Sequence, residues 1–295
     1  MNQTPPTPDQ ADLEARDSRP GGPRELLGAL RKALADRDGG SAFGVIEWVQ
    51  QTGSTNRDLM GRRSSLELRT VRLAEHQTAG RGRLDRSWSA EPGGSLLCSV
   101  SLEPAPGALS WVTPAMALAT VDACERQSAP VCLKWPNDVL SHDSDDETNV
   151  GCKVAGILAE SRHLGSGTSR VVVGVGINVR RASVPRALGA SAACLDAIAP
   201  VEIDRVGLAA DLLIAFDQRL SQLERAPEEL RSDYVDRLAT LGQHVRVDLG
   251  QNSVEGRATG VDLGGALRVE AGGRVTTVHA GDVVHLRPAE PDRPG

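Results

Sequence analysis

Apolar residues recur along this chain with two different periods. Between Pro23 and Arg37, Leu26, Leu27, Leu30 and Leu34 fall at helical spacing and Gly39-Gly40 ends the pattern, which predicts one short amphipathic helix. From Gly44 the pattern becomes mixed. Residues 45–49 and 70–74 read as strands with a helix start at Ser54-Thr55-Asn56 between them, and residues 95–102 form a further strand run. A long apolar helix is expected over 110–126, carrying Trp111, Met116, Leu118, Val121 and Cys124. Two strand runs flank Trp135-Pro136-Asn137-Asp138, and residues 153–161 and 170–179 read as neighbouring strands of one sheet. Helices follow over 208–223 and 228–238, with Pro227 standing where the second begins.

After Leu241 the period shortens. Alternating runs at 244–249, 254–261, 266–270, 274–278 and 283–287 are separated by Gly264-Gly265 and Gly272-Gly273, which are hairpin signals, so a small β-barrel is predicted. The fold class expected is α+β: a mixed sheet flanked by helices, followed by this barrel. The expected divisions are a disordered tail over 1–22, too poor in apolar residues to offset ordering entropy, a main domain over 23–240, the barrel over 241–288 and a tail over 289–295. A length of 295 residues, at about 150 per domain, agrees with two domains.

Charge and composition then exclude several functions. Thirty-three Lys and Arg against 39 Asp and Glu leave a net charge of −6, which argues against phosphate-backbone binding by the whole surface. Four Trp, one Tyr and two Phe are too few for an aromatic nucleic-acid platform. The single helix expected ahead of residue 44 is too little for a helix-turn-helix domain. The five cysteines are odd in number and lack Cys-x-x-Cys spacing, which points to reduced thiols in a cytoplasmic protein rather than disulfides or zinc. Neither a signal peptide nor a membrane-length apolar run is visible. The acidic run 142–148 (HDSDDET) lacks the glycine and terminal Glu of a calcium loop and reads as a solvated hairpin insertion, and the six histidines show no ligand spacing. No protein-bound metal is expected.

Four segments hold candidate chemistry. In the first, residues 74–88, Arg81, Arg83 and Arg86 interleave with Gly80 and Gly82, setting dense positive charge on a backbone that can close over an anion; a solvated arginine cluster is the plainer reading. It matches neither G-x-x-x-x-G-K-[ST] nor G-x-G-x-x-G. The second is Leu133–Asp138, where a proline inside strand runs leaves Lys134, Asn137 and Asp138 either facing a cleft or forming a simple turn. The third, Lys153–Glu160, opens an apolar strand with a lysine that is either a solvated end or a charge aimed into a site. The fourth is Val171–Val179, where Gly174 and Gly176 permit close approach of a ligand or tight packing.

Taken in order, Gly53-Ser54-Thr55-Asn56, then residues 75–83 (EHQTAGRGR), then Lys134-Trp135-Pro136-Asn137-Asp138, then residues 153–158 (KVAGIL), then Gly174-Val175-Gly176-Ile177-Asn178, the chain resembles the biotin protein ligases. The resemblance covers residues 44–180 by motif and extends to 288 by layout. It implies a class II synthetase-like catalytic domain with a C-terminal SH3-like domain, of the monofunctional type lacking a DNA-binding domain. It further implies joining of biotin to the α-phosphate of ATP, with Mg²⁺, and transfer of biotin to a lysine on the biotin carboxyl carrier domain of an acyl-CoA carboxylase, with no specific DNA and no membrane as partners.

By the same resemblance Ser54, Thr55, Asn56, Gln77, Gly80, Arg81, Gly82, Arg83, Lys153 and Gly156 hold biotin and biotinoyl-AMP, and Lys153 and Arg83 are the catalytic pair. Arg86, Trp88, Asn137, Asp138 and Asn178 are assigned to the ATP side, and Arg287 is a candidate to reach the nucleotide. No enzyme nucleophile is expected. The chain departs from the pattern at Asp85, where the family often has a glycine, and a carboxylate there could pair with Arg83 or Arg86. The arginine loop is expected to be disordered or to make only weak contacts until ligand arrives. A lipoate protein ligase, a biotin-sensing repressor and a simple binding module are the competing readings.

Overall fold

The computed structural model describes residues 21–37, 43–62, 69–84, 86–142, 150–165, 168–185, 191–250, 252–279 and 281–285. The readings made of residues 1–20, Asp85, the acidic run beyond His142 and Arg287 therefore fall outside the described residues.

In chain order the elements of the first part are α1 (Pro23–Ala35), β1 (Ile46–Thr52), α2 (Thr55–Gly61), β2 (Val71–Gln77), β3 (Ser95–Leu102), α3 (Val112–Arg126), β4 (Val131–Lys134) and β5 (Asp138–His142). They continue with β6 (Val150–Gly165), β7 (Thr168–Asn178), α4 (Leu195–Ile198), α5 (Arg205–Arg225) and α6 (Pro227–Asp236). The strands form one seven-stranded mixed sheet in the order β1-β2-β3-β7-β6-β5-β4. Only β1 and β2 run parallel, and α2 supplies the crossover that parallel neighbours need; the other neighbours are antiparallel. β6 and β7 are neighbours, as their paired apolar runs predict.

Helix α3 is apolar from Val112 to Val121 save for Thr113 and Thr120 because that stretch is packed between the sheet and α5, and its charged residues fall in the last turns. It starts two residues later than its apolar pattern suggests, since 106–111 wind as a 3₁₀ turn whose last residue, Trp111, caps α3. Helix α1 commits its apolar stripe to the same core, burying Leu30 and Leu34 and packing on α5 and β1. At α2, which begins where its sequence predicts, Ser54 occupies the N-cap position but its side chain makes no cap bond, and Gln77 Oε1 instead accepts the Thr55 N–H at 2.8 Å. A long-range partner from β2 thus replaces the local one.

The second sheet contains β8 (His244–Asp248), β9 (Ser253–Val261), β10 (Leu267–Ala271), β11 (Arg274–Val278) and β12 (Asp282–His285), ordered β11-β10-β9-β8-β12 and antiparallel throughout. Its β9–β10 turn is shaped by Asp262, whose Oδ1 accepts the N–H groups of Gly264 and Ala266 at 2.8 and 2.9 Å, while Gly265 takes φ +82°. That turn seats the sheet on the first one. Trp111 Nε1 donates to the Leu263 carbonyl at 2.8 Å, Trp135 Nε1 donates to the Gly265 carbonyl at 3.0 Å, and the Trp135 N–H reaches Thr240 Oγ1 at 3.0 Å.

Candidate functional site

Alternation along β7 sends Val173, Val175 and Ile177 into the helix-covered core, so Gly174 and Gly176 fall on the opposite face. Strand register aligns them with their neighbours in two rungs: Ser99 opposite Gly174 opposite Leu158, and Leu97 opposite Gly176 opposite Gly156. The bare backbone of these glycines is what lets other groups lie flat on the sheet. A Cβ at Gly174 would overlap Asn56 Oδ1, and one at Gly176 would stand 2.6 Å from Trp88 Cε2. At Gly156 it would meet Lys153 Nζ at 3.1 Å and Trp88 Cζ3 at 3.2 Å.

Above the first rung the N-terminus of α2 builds a closed polar corner. Gln77 Oε1 lies 2.9 Å from Thr55 Oγ1, which lies 2.7 Å from Ser99 Oγ, and Ser99 Oγ donates to Asn56 Oδ1 at 2.7 Å. Asn56 Nδ2 donates to the Leu158 carbonyl at 3.1 Å and to Glu160 Oε2 at 3.0 Å. Ser54, Thr55 and Asn56 are all buried. Buried polar groups hold their geometry only when every partner is present, so this corner is rigid.

Above the second rung stands a cationic wall. The segment 80–88 is itself a small hairpin: the Trp88 N–H donates to the Gly80 carbonyl at 3.0 Å, the Gly82 N–H to the Arg86 carbonyl at 2.7 Å, and Leu84 turns the tip with φ +53°. Arg81 Nη2 pairs with Glu160 Oε1 at 2.8 Å, Arg83 Nη1 donates to Asn137 Oδ1 at 3.2 Å, and Arg86 pairs with Asp282. The hairpin does make contacts in this structure, all of them to acceptors that the local sequence does not reveal: Glu160, Asn137 and Asp282.

Lys153 reaches this wall through a bulge. Val139 pairs with Ala155 but Leu140 pairs with Lys153, so β6 carries one extra residue there, and the Lys153 side chain lies over Gly156 on the cavity face. Its Nζ lies 2.5 Å from Asp138 Oδ1 and 5.8 Å from the Trp88 ring centre. Burial pulls the pKa of the Arg83 guanidinium down against the opposing pull of the Asp282 and Asp138 carboxylates, and burial likewise lowers that of Lys134. Cations that have lost water and are only partly paired are poised to take an anion.

Corner and wall open into one cavity of about 270 Å³. Ser54, Thr55, Asn56, Gln77, Arg81, Gly82 and Arg83 line it, as do Arg86, Trp88, Asn137, Asp138, Lys153 and Gly156. Four cations, Arg81, Arg83, Arg86 and Lys153, face two lining carboxylates, Asp138 and Asp282. Two of the expected site residues stand outside the lining. Gly80 closes the hairpin, where a Cβ would overlap the Trp88 carbonyl. Asn178, assigned to the nucleotide side, is corrected by the structure: it is buried at the end of β7, with Nδ2 donating to the Ala193 carbonyl at 3.1 Å. The Ala193 N–H in turn donates to the Lys153 carbonyl at 2.9 Å, so Asn178 braces the backbone behind Lys153.

Sequence reasoning missed Ser99, Glu160 and Asp282. Ser99 left a trace, as a polar break in the apolar run of β3. Asp282 left none, being brought to the wall only by the docking of the second sheet. Among the described residues no cluster of three or more His, Cys, Asp or Glu could cage a metal ion.

Comparison with known proteins bears directly on this cavity. The biotin/lipoate A/B protein ligase family matches residues 48–178, and the biotin protein ligase C-terminal domain matches residues 240–286. The biotin–[acetyl-CoA-carboxylase] ligase of Mycobacterium tuberculosis is 39% identical over 258 residues, covering 84% of this chain and 91% of its own length. The bifunctional ligase/repressor BirA of Escherichia coli is 29% identical, over 91% of this chain and 80% of its own. Among solved structures, the biotin protein ligase from Aquifex aeolicus in complex with biotin and ATP superposes with a TM-score of 0.68 at 25% identity, covering 83% of this chain and all of that one.

Proposed function

The chain belongs to the biotin protein ligase family, and on that premise we propose that the glycine-floored cavity is where biotin meets ATP. The activity is that of a biotin–[acetyl-CoA-carboxylase] ligase: biotin's carboxylate displaces pyrophosphate from ATP to give biotinoyl-AMP, and the biotinoyl group then passes to a lysine of a carboxylase carrier domain. One observation carries the assignment to this cavity: a hydrogen-bonding corner whose cavity-lining side chains, Ser54, Thr55, Asn56, Gln77 and Ser99, are neutral continues into a wall of four cations. Biotin has that polarity, a neutral ureido ring at one end and a carboxylate at the other.

In this reading Ser54, Thr55, Asn56 and Gln77 receive the ureido end, and Gly156 gives the ring room to approach the sheet. Adenylation brings a carboxylate against a polyanion, so cations already in position do most of the work. Arg81 and Arg83 meet the carboxylate and α-phosphate, and Lys153, held by Asp138, bridges both as charge shifts to the leaving pyrophosphate. Arg86, Trp88, Asn137 and Asp138 serve the nucleotide side. Gly80 and Gly82 let the hairpin close over a water-labile acyl-adenylate. In the second step the acceptor amine attacks the acyl carbon and AMP departs, without an enzyme nucleophile.

Mg²⁺ fits as an ion carried by ATP, since it is commonly held by one or two carboxylates together with substrate phosphates, and Asp138 faces the cavity for that role. It would offset phosphate charge. Residues 23–240 act as the catalytic domain and 241–288 as the SH3-like domain, with 1–22 and 289–295 as tails. We place the protein in the cytoplasm on the strength of the buried free thiols Cys98, Cys124, Cys132 and Cys194; no helix among the described residues is long and apolar enough to cross a membrane.

The deciding measurement is the intact mass of an apo carrier domain after incubation with this protein, MgATP and either biotin or lipoate. A biotin-sized increase on the carrier alone is expected. A lipoyl-sized increase would move the substrate, and no change on a competent carrier would sink the reading.

A further inference from the structure

The arginine hairpin is held at three points, and only two of them belong to the seven-stranded sheet. Arg81 is held by Glu160 on β6 and Arg83 by Asn137 in the β4–β5 turn. Arg86 reaches across to Asp282, which among the described lining residues is the one contributed by the second sheet. Asp282 is the first ladder residue of β12, opposite Asp248 on β8. A Cβ at the preceding Gly281 would stand 2.7 Å from Val247 Cγ1 and 3.0 Å from the Asp248 carbonyl oxygen, so the strand enters hard against β8 and its first carboxylate is rigidly delivered. The second sheet is itself pinned by the Trp111 and Trp135 indoles.

The geometry points to Asp282 as a positioning residue: a latch, carried by the C-terminal sheet, that holds the arginine hairpin closed over the cavity by pairing with Arg86. This inference rests on the ligase reading for its substrate, since what the latch retains is the acyl-adenylate. The pair suits a latch because it is weak. The Arg86 side chain is 68% exposed and that of Asp282 30%, and exposed ion pairs contribute little and exchange readily. Arg81, near the base, and Arg83, beside the tip, tie the outgoing strand to the first sheet, whereas Arg86 alone ties the return strand to the second. Releasing the return strand from the second sheet therefore costs one solvated pair, while making the pair couples the hairpin to a sheet nearly 200 residues away in the chain.

The test follows the escape of biotinoyl-AMP from the full-length protein after it is made in place from biotin and MgATP. Asp282→Asn, which keeps shape and removes charge, is expected to speed release about fivefold, the equivalent of about 1 kcal/mol. Asp282→Glu restores most of the retention. In Asp282→Asn the rate of adenylate formation is expected to stay within about twofold of the parent while release alone speeds up, a split that a structural role for the side chain would not produce. Unchanged release in Asp282→Asn, or release from Asp282→Glu as fast as from Asp282→Asn, overturns the latch. Failure of the parent protein to make any adenylate sinks the ligase reading instead, and the latch is then judged by trypsin, which should cut after Arg83 about fivefold faster in Asp282→Asn; equal cutting overturns it.

Discussion

At the Ser54–Asn56 corner the polar side chains are buried and bonded to one another or to the backbone, whereas in the 80–88 hairpin three arginines stretch over open ground to acceptors on three separate elements. The first arrangement is stiff because a buried polar atom that loses its partner is left unsatisfied at a cost of about 1–3 kcal/mol. The second is held by contacts that water and salt can replace at little cost. One end of the cavity can thus discriminate by shape and hydrogen bonding before ligand arrives, while the other can admit a polyanion and then fold over it.

Removing the charge at the centre of the cationic wall should have the largest effect. Lys153→Ala is expected to slow adenylate formation by about 10²–10³-fold, the usual loss when a group stabilising transition-state charge is deleted; pyrophosphate release in single-turnover mixing measures it, and a loss under tenfold would move the chemistry elsewhere on the wall. The corner should fail in a different coordinate. Asn56→Ala removes the acceptor of the Ser99 hydroxyl and the amide that donates to the Leu158 carbonyl, and is predicted to weaken biotin binding by about 10–100-fold with a smaller change in the rate of the bound complex. Calorimetric titration with biotin alone checks this, and an equal loss in both quantities would erase the distinction between the two ends. Gly176→Ala sharpens the boundary: its Cβ would displace the Trp88 ring, so the KM for ATP should rise about tenfold while biotin affinity changes less. Steady-state kinetics with each substrate varied in turn separates the two.

The strands and helices were legible because periodicity survives in a single chain. The apolar runs of β6 and β7 announced themselves as neighbours, and the Gly264-Gly265 turn was visible as a hairpin. The polar corner was legible as residues but not as a network, since Ser99 joins it only through the register of β3 with β7. Lys153 was ambiguous for a physical reason: simple alternation along β6 cannot assign its face, and the bulge at Val154 does. Asn178, assigned to the nucleotide side by resemblance, stands outside the cavity lining because a motif does not say which way the last residue of a strand turns, and here the Ala193 carbonyl claims its amide. Asp282 was invisible because an ion pair across 196 residues has no local signature.

Trp111 and Trp135 spend their indole N–H groups on carbonyls of the β9–β10 turn, so the joint between the two sheets is a pair of pegs in matching sockets rather than a flexible tether. Anyone dividing the polypeptide near residue 241 to make a split reporter would expose both pegs at once on the larger piece. The smaller piece would carry the sockets and Asp282 away together. Reassembly of the halves would then require not proximity alone but that those two indoles find their carbonyls again.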